Sequence, residues 1–163
     1  MATRKETGKN LKSTPLKSTQ RLTSLFALFN EIGIISQLST AAFNRVLPEG
    51  IHVAHFSVLN HLFRLGDGKT PVQLADAFQI TKGTMTHTLN ELQKRKFIDI
   101  KPNPEDRRSK LVYLTRKGRT FREHAINSLQ PMVEAISGDL DIELVLNAAP
   151  ALKHLREVLD NNR

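Results

Sequence analysis

The chain contains no cysteine, which excludes disulfide frameworks, thiolate zinc sites and cysteine-based peroxide sensing together. No apolar run approaches the roughly 18 residues that a membrane span needs. The basic, polar N-terminus lacks the apolar stretch of a signal peptide. A cytoplasmic protein without membrane association is therefore expected. Enzyme templates are missing as well: Gly-x-Ser-x-Gly, His-Glu-x-x-His and Gly-x-x-x-x-Gly-Lys-Ser/Thr do not occur. Gly66-x-Gly68 lacks the third glycine of a dinucleotide loop and reads as a turn. These absences predict a non-enzyme that carries no cofactor.

What is present is length enough for one domain with a real core, at 163 residues with 39% apolar side chains. The net charge is +8, and its distribution says more than its total. Residues 1–21 carry six Lys or Arg and one Glu, and residues 94–122 carry eleven Lys or Arg against Asp99, Glu105 and Asp106. The remainder holds seven basic and twelve acidic residues and is net acidic. A folded part with one concentrated basic segment is what neutralising phosphates requires.

Residues 1–20, rich in Lys, Thr and Ser without hydrophobic periodicity, read as a disordered basic tail. From Arg21 to about Val46, Leu22, Leu25, Phe29 and Ile32 recur at helical spacing, and Pro48-Glu49-Gly50 ends that helix. A second helix is expected over 52–65, stopped by Gly66-Asp67-Gly68. Thr70 with Pro71 then supplies an N-cap and a first helical position for a short helix. Gln79-Ile80-Thr81 leads into another helix running to about Arg95. Phe97-Ile98-Asp99-Ile100 and Leu111-Val112-Tyr113-Leu114 have strand composition around a charged loop, Lys101 to Lys110. Thr115 is positioned to cap a helix over 116–137, bent at Pro131. A last helix over about 141–160, interrupted at Pro150, places Leu152, Leu155 and Leu159 on one side.

Two short helices followed by a basic hairpin make a winged helix-turn-helix. The expected fold is mainly α with a small β-hairpin wing. One domain, 21–163, contains the winged module at about 52–115 and long flanking helices at about 21–47 and 116–160. The apolar stripes of those flanking helices, including Leu22, Leu25, Phe29, Leu152, Leu155 and Leu159, need a partner surface. A homodimer is the simplest one.

In such a module the second helix lies in the major groove and is held by its apolar face. A helical wheel of residues 82–95 gathers Met85, Thr88, Leu89 and Leu92 on one side and Gly83, Thr86, His87, Asn90 and Lys94 on the other. Lys82 and Thr84 stand at its N-terminus. Short polar side chains there permit approach to base edges, and Lys94 suits a phosphate. At the hairpin tip, Arg107, Arg108 and Lys110 can reach a minor groove, where a narrow groove favours Arg. Asp106 is expected to hydrogen-bond one guanidinium and fix its direction.

Residues 97–118, FIDIKPNPEDRRSKLVYLTRKG, resemble the wing of the MarR family (multiple antibiotic resistance regulators). The family's Asp-x-Arg followed by Leu-Thr-x-x-Gly is matched by Asp106, Arg108, Leu114, Thr115 and Gly118. Upstream, LADAFQITKGTMTHTLNELQKR resembles the family's helix-turn-helix. The resemblance implies double-stranded DNA as partner, a homodimer on a pseudo-palindromic site, and a repressor that releases DNA on binding a small anionic or phenolic effector. It implies a minor-groove role for Arg108 with Asp106 orienting it, and backbone contacts for Arg107 and Lys110. Three positions depart from the family: Gln79 and Lys96 stand where Gly is common, and His87 stands where Arg is frequent. A winged-helix module for protein–protein assembly is the alternative from another class, since fold does not fix function. His52, His55 and His61 are read as packing or surface histidines rather than a metal site, because no thiolate or matching carboxylate accompanies them.

Overall fold

The computed structural model describes residues 17–162, so the reading of residues 1–16 as a tail lies outside the described residues. The chain divides into two compact units, Met1–Ser39 and Thr40–Arg163, and the boundary falls inside the first helix. That helix, α1, runs Ser18–Val46. It begins at Ser18 rather than Arg21, because Gln20 Oε1 accepts from the Lys17 N–H at 3.1 Å and the Thr23 hydroxyl bonds the Thr19 carbonyl at 3.0 Å. None of its residues is buried. Contrary to the sequence expectation, α1 is long and apolar enough, by length and composition, to cross a membrane. Isolated polar residues such as Asn30, Glu31 and Gln37 do not lower its average enough to fail that test.

In the second unit, the end of α1 prepares α2, Val53–Leu65. Asn44 Oδ1 accepts the Val53 N–H at 2.8 Å, and Phe43 meets Phe56 edge to face at 4.6 Å. Between them, Gly50 turns with φ of 73° while Arg95 Nη2 donates to the Glu49 carbonyl at 2.6 Å. The short helix α3, Pro71–Ala77, starts with a reciprocal cap: Thr70 Oγ1 accepts from Gln73 N, and Gln73 Oε1 accepts from Thr70 N. The next helix, α4, spans Lys82–Lys94 and is capped by Thr81, whose hydroxyl oxygen accepts from Thr84 N at 3.1 Å.

Both α3 and α4 end in the same left-handed closure, on residues that are not glycine. Gln79 has φ of 52° and Lys96 has φ of 61°. In α3, Ile80 N donates to Ala75 O and Gln79 N to Asp76 O; in α4, Phe97 N donates to Leu92 O and Lys96 N to Gln93 O. Each pair is a Schellman closure, which satisfies carbonyls the helix end leaves open. The strained backbone costs about 1 kcal/mol per residue. At Gln79 the side-chain amide recovers part of it by donating to the Asp76 carbonyl at 2.7 Å.

The strands are β1, Ile98–Pro102, and β2, Lys110–Leu114, antiparallel with Ile98 opposite Leu114 and Pro102 opposite Lys110. The ladder therefore extends further toward the tip than the apolar runs indicated, and Pro102 is accommodated at its end. A third segment joins: Gly68 N donates to Val112 O and Val112 N to Lys69 O, both at 2.9 Å. The buried core is Leu59, Leu62, Leu74, Met85, Leu89, Leu92, Ile98 and Val112 with their neighbours between Leu47 and Ala125.

Two helical expectations are corrected beyond the hairpin. Residues 116–137 form two helices, α5 (Arg116–Asn127) and α6 (Gln130–Ser137), instead of one bent at Pro131. Pro131 has no N–H for the Asn127 carbonyl, so α5 stops there and the turn tightens, with Leu129 N bonding Ile126 O at 3.0 Å. The last helix, α7, runs Ile142–Asn161 without a break at Pro150. One lost hydrogen bond does not end a helix this long. Asp141 caps it by accepting from Leu144 N at 3.0 Å.

The join between hairpin and α5 is closely packed. Thr115 Oγ1 accepts from Gly118 N at 3.0 Å and donates toward Lys96 O (2.8 Å) and Phe97 O (3.0 Å). Thr115 N also donates to Phe97 O at 3.0 Å. A Cβ at position 118 would overlap the Phe97 carbonyl oxygen and sit 2.8 Å from Leu114 Cδ1. Gly118→Ala should therefore destabilise the fold by about 2–3 kcal/mol, the scale of overpacking a rigid site; an unchanged urea midpoint would show that the backbone yields. Lys96→Gly should instead gain about 0.5–1 kcal/mol in the same measurement, since glycine relieves the left-handed strain at some cost in unfolded-chain entropy.

Candidate nucleic-acid interface

The polar face of α4 is solvent-exposed along its length: Lys82, Gly83, Thr84, Thr86, His87, Asn90 and Lys94 are exposed, while Met85, Thr88, Leu89 and Leu92 are buried. The hydroxyls of this helix are already turned. Thr86 Oγ1 donates to Lys82 O at 2.8 Å, Thr88 Oγ1 donates to Thr84 O at 3.1 Å, and the Thr81 and Thr84 hydroxyls share a 2.9 Å bond. Thr86 thus offers a methyl group and acceptor lone pairs outward, not a donor. Lys94 is not a free cation: its Nζ lies 2.6 Å from Glu91 Oε1. That bond holds the Glu91 carboxyl below its ordinary range.

The hairpin and α4 face one another across a common concavity. A cavity of about 300 Å³ is lined by Thr86, Asn90 and Gln93 of α4 and by Ile100 and Lys110 of the hairpin. Gln93 was missed in the sequence reading, although it lies three residues beyond Asn90 and seven beyond Thr86, on the same stripe. Its amide is a two-way hydrogen-bonding group suited to a base edge.

At the hairpin tip, Arg107, Arg108 and Lys110 are exposed and make no ion pair among the described residues. Asp106 does not grip a guanidinium: its Oδ1 accepts from the Arg108 backbone N–H at 2.9 Å. It orients the arginine through the chain, by a turn of the kind Asp forms two residues ahead. Asp67, also missed, ties the other end of the hairpin. Its Oδ1 accepts from Leu114 N at 2.8 Å and its Oδ2 from Arg119 Nη2 at 2.9 Å.

The dimerisation candidates are exposed or half-buried. Leu22 is 71% exposed, Leu25 46%, Phe29 42%, Leu152 44% and Leu159 51%, and Leu155 is half-buried. Elsewhere, a cavity of about 440 Å³ between α2, the end of α3 and α7 is lined by Ser57, His61, Arg64, Phe78 and Arg156 among others. The His61 and Phe78 rings lie 5.3 Å apart, and burial, then Lys69 and Arg64, lower the His61 pKa. No group of three or more His, Asp or Glu is placed to hold a metal among the described residues.

His55 is buried beneath this surface. Its Nδ1 accepts from the His52 backbone N–H at 3.1 Å, which leaves the proton on Nε2, and Nε2 has no partner. Burial lowers its pKa from 6.5, with His52, His87 and Arg95 acting the same way and Glu91 opposing. A second proton would have to enter at Nδ1 and turn a donor against a donor.

The profile of the MarR family matches residues 49–109. The transcriptional activatory protein BadR of Rhodopseudomonas palustris is 25% identical over 99% of this chain and 89% of its own. The multiple antibiotic resistance protein MarR of Escherichia coli is 32% identical over 66% of this chain and 76% of its own. A solved structure of an E. coli MarR mutant complexed with operator DNA shares 25% identity, with a TM-score of 0.65 over 81% of this chain and 95% of that one.

The His55 geometry fixes a sign for pH. The depressed folded-state pKa means that its contribution to stability is complete above the unfolded value near 6.5 and declines as pH falls below it. Urea midpoints should be lower at pH 5.5 than at pH 7.5 by more than in His55→Gln, whose amide oxygen can still accept the His52 N–H. Equal pH dependence in the two proteins would clear His55 of the effect.

Proposed function

The chain belongs to the MarR family of transcriptional regulators, and from that membership we propose that it is a ligand-responsive repressor acting as a cytoplasmic homodimer on a pseudo-palindromic operator. The observation that carries sequence-specific DNA binding is the concavity shared by the polar face of α4 and the hairpin. A helix seated in a major groove and a wing meeting the flanking minor groove would approach one duplex from one side. Lys82 at the N-terminal turn of α4 suits a phosphate, Thr86, Asn90 and Gln93 suit base edges, and Arg107, Arg108 and Lys110 suit the minor groove and its backbone.

Homodimerisation is supported by the exposed apolar side chains of α1 and α7. Two readers held by a two-fold axis place half-sites about one helical turn, roughly 10 bp, apart. The proposed effector, small and anionic or phenolic, is assigned to the cavity at His61, Arg64, Phe78 and Arg156, where cationic groups stand beside two aromatic rings inclined to one another. The name of BadR, a relative over nearly the whole chain, supports a second reading as an activator. The sign of regulation is then set by where the operator lies relative to the promoter.

Selection from random duplexes should enrich an inverted repeat, and the protein should sediment at twice its 18.4 kDa chain mass. No enriched motif would favour a protein-assembly module, and a monomer would remove the two-fold arrangement. On the selected site, Arg108→Ala should weaken binding by about 1–3 kcal/mol; an unaltered titration would take Arg108 out of the interface.

A further inference from the structure

The tip of the hairpin holds no buried apolar side chain. Pro104, Glu105, Asp106, Arg107 and Arg108 are exposed, and only Asn103 and Ser109, which bracket them, are half-buried. Hydrogen bonds alone close the loop, and Asn103 is at the centre of them. Its backbone N donates to Ser109 O at 3.1 Å, its Nδ2 donates to Ser109 Oγ at 2.9 Å, and its Oδ1 accepts from Glu105 N at 3.1 Å. Ser109 relays the constraint inward: its N and Oγ both donate to Asp106 O, at 3.0 and 3.2 Å. Asp106 in turn takes the Arg108 N–H.

The match to the family's wing pattern includes Asp106 and Arg108 and leaves Asn103 and Ser109 outside it. We propose that Asn103, acting through Ser109, is a positioning residue that sets the backbone carrying Arg107 and Arg108 before DNA arrives. The physical reason is entropic. An unrestrained tip would lose backbone freedom at each residue on docking, and a loop already closed in the free protein avoids most of that loss. Asn is suited to the role because one side chain supplies both a donor and an acceptor. Neither Asn103 nor Ser109 has to touch DNA.

The inference rests on the DNA-binding reading, and the test separates the two. Operator affinity is titrated for wild type, Asn103→Ala, Ser109→Ala, their double variant and Ser109→Thr, with Arg108→Ala alongside. Asn103→Ala and Ser109→Ala should each weaken binding to the selected operator about ten-fold, the scale of one hydrogen-bond energy. The double variant should be no weaker than either single one, Ser109→Thr should match wild type, and thermal midpoints and random-DNA affinity should hold. In the free protein, the Glu105 and Arg108 amides should exchange hydrogen faster in Asn103→Ala. If Arg108→Ala loses affinity while Asn103→Ala binds like wild type, the positioning role is wrong and the DNA reading stands. Additive losses would also overturn it, since Asn103 and Ser109 would then act separately. If wild type selects no duplex, the DNA reading fails and takes this inference with it.

Discussion

The placing of α4 against the hairpin depends on one crowded point, the carbonyl of Phe97. It accepts from both the backbone N–H and the hydroxyl of Thr115, and Gly118 is pressed against it so closely that no side chain fits. The Phe97 ring stacks on Phe121 of α5 at 4.4 Å, and Lys117 Nζ donates to the Arg95 carbonyl at 3.0 Å. The end of α4, the first strand of the hairpin and the start of α5 are thereby fixed to one another. The Leu-Thr-x-x-Gly run, met first as a family signature, is in physical terms a clamp. It keeps the hairpin from swivelling independently of α4, and a two-part reader needs that rigidity more than it needs any single contact.

The same clamp changes the meaning of the basic segment. Much of its charge is engaged within the fold: Lys94 with Glu91, Arg95 with the Glu49 carbonyl, Arg119 with Asp67, and Arg122 with Asn60 while it lies 4.0 Å from the centre of the Phe63 ring. Arg107, Arg108 and Lys110 make no ion pair among the described residues and stay exposed. A cation already satisfied gains less from a phosphate, because binding exchanges one partner for another. Net charge alone therefore overstates what is available to a polyanion, and the hairpin tip holds three of the cations that remain unpaired among the described residues.

What could be read from the sequence was whatever depends on near neighbours. The buried face of α4 and the caps at Thr70 and Thr115 follow from spacing and local chemistry, whereas the left-handed backbone at Gln79 was signalled only by the family's glycine at that position. The contacts that escaped are long-range and single. Asp67 reaches Leu114 and Arg119, and Lys69 pairs with Val112, across separations that no periodicity records. The prolines misled in both directions because one missing N–H is a fixed loss whose effect depends on the helix around it. At Pro131 it fell beside an already loosening turn, and at Pro150 it fell within twenty helical residues. Asp106 was given its true target residue but the wrong atom, since side-chain forks and backbone turns look alike in a string of letters.

The core ends at Ala125, and this limit decides how the rest of the chain must be understood. Helices α1, α6 and α7 contain no buried residue, yet they expose Leu22, Phe26, Leu38, Leu144, Leu146 and Leu159. Soluble monomers rarely leave contiguous apolar surface on that scale uncovered. The winged module closes its core with only the end of α1 helping, where Phe43 packs against Phe56, so the rest of these helices is under a different demand, to match another surface. A bilayer would accept α1 by composition but offers nothing to α7, whose apolar side chains alternate with Lys153, Arg156 and Glu157. The second copy proposed above would answer both helices at once.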